Sequence, residues 1–122
     1  MARLFFFLGS VFAGLAVVMG SWGAHSTALG EVQTLWIDKG VRYQMFHALA
    51  LLCTALLIGS HKKTPKMAMA AGLCFISGIV LFSGSLYWMA LSSVDAGFIT
   101  PAGGILFLLG WALLAFSAPG KK

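Results

Sequence analysis

Acidic side chains are almost missing from this sequence. Only Glu31, Asp38 and Asp95 occur among 122 residues, and none falls inside a long apolar stretch. That excludes paired-carboxylate acid/base chemistry. It also argues against a proton relay or cation pump, which normally needs a carboxylate within the membrane. Charge of either sign is scarce, at 9% of residues, where a soluble domain carries roughly 25%. Water is therefore the wrong solvent for this chain. Cysteine is limited to Cys53 and Cys74, which read as small apolar packing residues rather than a disulfide. His25, His47 and His61 form no metal or haem motif. No Gly-rich phosphate loop and no nucleophile elbow occurs. No metal, no cofactor and no enzyme is expected.

Hydrophobic residues make up 60% of the chain, and mean hydropathy is +0.95. A membrane-crossing helix needs about 20 mostly apolar residues, and stretches near 4–24, 41–60, 67–91 and 98–116 qualify. The first is longer than the apolar core of a cleaved leader and is read as a span. These stretches predict an all-α membrane protein, a four-transmembrane-helix bundle forming a single membrane domain over 1–122. The formal charge is +5, but the bases sit between apolar runs, so they signal topology and not nucleic acid. Arg3, Lys62, Lys63, Lys66, Lys121 and Lys122 fall on one side. Lys39 and Arg42 share the other side with all three acids. Both termini are thus expected in the cytoplasm of a multi-pass plasma (inner) membrane protein. The Lys-rich loop also suits anionic lipid.

The first outer loop carries Val32, Leu35 and Trp36 at helical spacing. It predicts a short interfacial helix ended by Gly40, or a direct continuation into the second span. In lipid, helices associate through close packing of small residues. Gly9, Ala13, Ala16, Gly20 and Ala24 form one such stripe on the first span, with Gly23 beside it. On the third span the wheel groups Ala70, Ala71, Cys74, Ser77, Gly78, Gly84, Ser85 and Ser92, with Phe75, Ile79, Phe82 and Leu86 opposite. The small set is expected inside the bundle, so that Gly84→Leu should split it. Gly103 and Gly104 are small residues of the fourth span.

Tyr43 and His47 share one face of the second span. By depth along each helix, His25, Tyr43, His47, Ser83, Ser85, Tyr87 and Thr100 are expected in one polar layer in the outer half of the bundle. Unpaired polar groups are costly in hydrocarbon. This layer reads either as interhelical hydrogen bonding or as a small outer-facing pocket.

Four blocks carry a family resemblance: GAH (Gly23 to His25), YQMFHALALL (Tyr43 to Leu52), GIVLFSGSLYWMAL (Gly78 to Leu91) and ITPAGGILFLLGW (Ile99 to Trp111). They resemble the small bacterial membrane proteins of the domain of unknown function 423 family, uncharacterised protein family 0382. The resemblance implies four-span inner-membrane proteins without an established activity. Its family-like positions include Gly23, His25, Tyr43, His47, Ser83, Gly84, Tyr87, Gly103, Gly104 and Trp111. Ser21-Trp22 departs from the Ala-Phe-like pair expected before GAH. The leading functional reading is a non-enzymatic accessory or lipid- or ligand-binding membrane module. The alternative is a small-solute or ion transporter or channel subunit working as an oligomer. Membrane lipids, a second copy or another membrane protein are the expected partners.

Overall fold

The computed structural model describes residues 1–118. Lys121 and Lys122, counted above with the basic side, lie outside the described residues. Helix α1 runs over Ala2–His25 and α2 over Glu31–Gly59. The third span begins as α3 (Lys66–Gly78), passes through a π-helical segment (Ile79–Ser83) and continues as α4 (Gly84–Ser92). Helix α5 runs over Ile99–Phe116. Four helices, the third being the composite 66–92, are long and apolar enough to cross a membrane. Their ends follow from local chemistry. Ser93 closes α4 in the left-handed conformation, with its N–H on the Met89 carbonyl at 2.8 Å. Pro65 stands before α3 and Pro101 in the first turn of α5, where a missing N–H costs nothing.

The outer-loop segment is helical but not separate. Glu31 to Gly59 is one helix of 29 residues, about 43 Å long at 1.5 Å per residue. Gly40 does not end it; it is buried within it. Ile37 is 2% exposed and faces Gly23 of α1. Trp36 packs against Leu86, Met89 and Ala96. The early turns of α2 are therefore held by tertiary contacts, which is why the helix continues through a glycine.

The spans do not contribute equally. In α2 and the third span, 44% and 39% of the most apolar window is buried, against 17% in both α1 and α5. Helix α2 and the third span form the centre, with α1 packed along α2 and α5 packed along α3 and the π segment. In α2 the buried positions Ile37, Gly40, Gln44, His47, Leu51, Thr54 and Ile58 step by three and four, one continuous face. Phe5, Leu51, Ala55, Ile58 and Ala68 make the apolar cluster at the end where the chain begins.

Aromatic rings seated on glycines lock the helices together. A Cβ on Gly72 would collide with the Phe5 ring, and one on Gly78 with the Phe107 ring. A Cβ on Gly40 would lie 2.8 Å from Tyr87, and one on Gly110 2.7 Å from Phe75. A Cβ on Gly103 would strike the Phe82 backbone, so α5 and the π segment meet almost backbone to backbone. On α1, Gly9 faces Leu52 and Gly20 faces Val41, while Ala16 is buried, Ala13 is half-buried and Ala24 is exposed.

This corrects part of the face expected for the third span, whose Ala71, Gly78 and Ser85 are buried as expected. Phe75, Ile79 and Leu86 are buried at 0%, 3% and 3% exposure, not turned to lipid. Ser77 and Gly84 are exposed, and a Cβ on Gly84 would meet nothing within 4 Å. The true interior face lies roughly a third of a turn from the small-residue stripe. Small size marks an interface only where a large side chain from a neighbour fills the space. Gly84 has no such partner, so the split expected from Gly84→Leu loses its basis.

Candidate functional site

The polar side chains of the spans form separate ties, not one layer. The outermost joins α4 to α5: the hydroxyls of Ser85 and Thr100 share a hydrogen bond. Ser83, 1% exposed, donates to the Gly40 carbonyl at 2.7 Å. The third tie passes through Gln44. Its amide N–H donates to the Phe12 carbonyl at 2.7 Å, and its amide oxygen accepts from the Tyr87 hydroxyl at 2.6 Å. The roles are set by chemistry, since a backbone carbonyl can only accept. Gln44 thus links α1, α2 and α4.

The fourth tie contains His47, which is 4% exposed. Its Nδ1–H donates to the Tyr43 carbonyl at 2.6 Å. Its Nε2 accepts from the Trp111 indole N–H at 2.9 Å. A carbonyl can only accept and an indole can only donate, so the pair selects one neutral tautomer. The ring stacks on Phe107 at a centroid distance of 3.5 Å and 8° between planes. Phe75 adds a tilted contact at 5.8 Å.

His47 therefore sits deeper than expected. Trp111 is twelve residues into α5, about 18 Å from its outer end, and His47 is level with it. Helix α2 begins at Glu31, ten residues before Val41, which places His47 well within it. His25 is exposed at the end of α1 and takes no part in the ties, because α1 ends there with its side chain beyond the bundle. Tyr43 is 37% exposed. Its ring contacts Phe82 at 4.9 Å, and its hydroxyl makes no hydrogen bond among the described residues.

Two participants carried too little signal to be placed in the cluster from sequence. Gln44 lies one residue from Tyr43, and only its i, i+3 and i, i+7 relation to His47 and Leu51 marks it. Trp111 is marked in the sequence only as a family-like position, with nothing local to pair it with His47.

Beside His47 lies an open groove of about 400 Å³ between α2 and α5. Tyr43, Phe46, Phe82, Gly104, Phe107, Leu108 and Trp111 line it with His47. It opens sideways on the outer surface of the helices, where Phe46 is 54% exposed, Leu108 72% and Trp111 45%. Both ring nitrogens of His47 are already engaged, so the groove offers ring faces, aliphatic walls and the Tyr43 hydroxyl. Gly104 leaves its wall low, with the nearest ring atoms 3.8 Å from where a Cβ would stand. Among the described residues, no cluster of His, Cys, Asp or Glu has the grouping of a metal site.

Comparison with known proteins places this arrangement in context. A family profile described as a protein of unknown function, DUF423, matches residues 19–104. A UPF0382 membrane protein of Staphylococcus epidermidis is 40% identical over 94% of each chain. The UPF0382 inner membrane protein YgdD of Escherichia coli is 37% identical, covering 96% of this chain and 90% of its own. A UPF0382 membrane protein of Haemophilus influenzae is 41% identical over 87% of this chain and 86% of its own. No solved structure matches.

Proposed function

This chain belongs to the DUF423 (UPF0382) family of integral membrane proteins of uncharacterised function, and we propose that it works there as a non-enzymatic module that binds a lipid-soluble ligand from the surrounding bilayer. The inner membrane is its proposed location, by likeness to the relative of that name. The observation that carries the reading is the lateral groove between α2 and α5. Its walls are aromatic and aliphatic, and its one deep polar group is satisfied internally. Such a surface favours an apolar body with a single hydrogen-bonding group placed for the Tyr43 hydroxyl. A hydroxyl left alone in hydrocarbon is costly, which favours an occupant over an empty groove.

The transport alternative has weaker support. Conduction needs a path of polar groups open to water, whereas the buried polar side chains here pair with backbone carbonyls or with one another in short ties.

Gly104→Leu tests the reading. A Cβ at Gly104 would meet only the Phe82 ring, at 3.8 Å, and the rest of a leucine side chain should project into the groove. Protein purified in mild detergent is extracted, and its retained lipid-soluble molecules are identified by mass spectrometry. Wild type should retain a defined species that Gly104→Leu loses, at an unchanged melting temperature. The same complement on both proteins would sink the reading. Solute flux in reconstituted vesicles that stops with His47→Ala would move it to transport.

A further inference from the structure

The end of the molecule where the chain begins has an unusual charge distribution. Arg3, Lys62, Lys63 and Lys66 gather there, and no carboxylate stands with them among the described residues. All three acids lie at the opposite end, where Arg42 pairs with Asp38 at 2.6 Å. The bases at the first end have no such partner among the described residues.

A shallow, open groove of about 460 Å³ lies at that same end between α1 and α2, lined by Ala2, Arg3, Phe6, Ala55, Leu56, Gly59 and Ser60. Its lining changes character along its length. Arg3 and Ser60 stand at the helix ends. Phe6 and Leu56, 50% and 64% exposed, lie about one turn deeper on the lipid side. The first paired amide of α1 is that of Phe5, whose N–H reaches the Met1 carbonyl at 2.9 Å. The amides of Ala2, Arg3 and Leu4 therefore have no partner within the helix and add the positive end of its dipole beside Arg3.

We propose that this groove is a binding site for an anionic glycerophospholipid of the adjacent leaflet. Its phosphodiester sits between the Arg3 guanidinium and the first amides of α1, and one acyl chain follows Phe6 and Leu56. Three features converge: a cation able to clamp phosphate through two N–H groups, a group of bases with no carboxylate beside them among the described residues, and a shallow apolar groove that runs from the charge along Phe6 and Leu56. A soluble phosphate would use the first two but gain nothing from the third. The site is separate from the α2–α5 groove and stands whether or not that groove is occupied.

The full-length protein in mild detergent, where membrane orientation has no influence, is titrated with phosphatidylglycerol or phosphatidylcholine and read by native mass spectrometry. Phosphatidylglycerol should bind the more tightly, and Arg3→Gln should weaken it about fivefold, the share of one base near an anionic lipid. Arg42→Gln changes net charge equally but lies at the other end, and should leave binding as in wild type. Equal binding of the two lipids, or equal loss in both variants, would overturn the site. Displacement of the lipid by equimolar glycerol phosphate would also overturn it, assigning the site to a free phosphate ester. Gly104→Leu should have no effect; a loss there would show that the lipid sits in the other groove, and would refute the assignment.

Discussion

At the scale of single residues, glycine is the sharpest determinant of this fold. Its role depends on what stands opposite, as two positions on the third span demonstrate. Gly72 holds the Phe5 ring where a Cβ would stand, and Phe5 is fully buried. Gly72→Ala must push that ring out of a close-packed cluster, an overpacking cost of about 1–3 kcal/mol. Gly84 faces open space, so Gly84→Ala meets no clash and gains up to about 1 kcal/mol of helix propensity. Melting in detergent should therefore fall for Gly72→Ala and hold or rise for Gly84→Ala. A lower melting point for Gly84→Ala than for Gly72→Ala would contradict the packing described here.

Among the elements, the third span has the least regular geometry. The π segment at Ile79–Ser83 lies where Gly103 of α5 touches the Phe82 backbone. A π turn holds about one residue more than an α turn. Removing an exposed residue from it, Val80, should let the segment close as ordinary α-helix with α3 and α4 keeping their relative rotation. Removing Leu73, also exposed but within regular α-helix, should rotate all that follows by about 100°. Tyr87 would then leave Gln44, and Leu86 would leave the core. The deletion of Val80 should cost about 1–2 kcal/mol, while that of Leu73 should leave no folded monomer by size exclusion and thermal melting. Equal damage from both deletions would show that the π segment accommodates no extra residue.

For the whole molecule, the dominant feature is its charge axis. Ala2 lies beside Gly59, so the start of α1 and the end of α2 share one end of the molecule with the Lys62–Lys66 loop. The opposite end holds Glu31, Asp38 and Asp95 with Lys39 and Arg42. Positive residues near short loops favour the cytoplasmic side, so the basic end should face the cytoplasm. A green fluorescent protein fused after residue 122 should fluoresce in cells, and alkaline phosphatase fused there should stay inactive. Replacing Lys62, Lys63 and Lys66 together by Gln should weaken that bias. Active phosphatase on the unaltered chain would reverse the orientation.

Much of this architecture was legible in the residues. The four apolar stretches are long enough to read as spans because a backbone in hydrocarbon must satisfy its own hydrogen bonds, and only a helix does so within one segment. Gly9, Gly20 and Gly23 of α1 meet α2 because their helical spacing puts them on one face. The polar residues were recognisable by type, since few side chains of that kind occur in such stretches. Their partners were not. The tie of His47 to Trp111, the bridging role of Gln44, and the burial of Phe75 with exposure of Gly84 all depend on how far each helix is turned and shifted against its neighbours. That rotation and shift come from rings meeting glycines across helices, a long-range match that no single segment encodes. Composition and periodicity thus determined that this chain crosses a membrane as helices, because solvent and backbone act locally. Only the tertiary structure decided which faces meet, because in lipid, where apolar surface gains little by hiding, shape complementarity selects the partner.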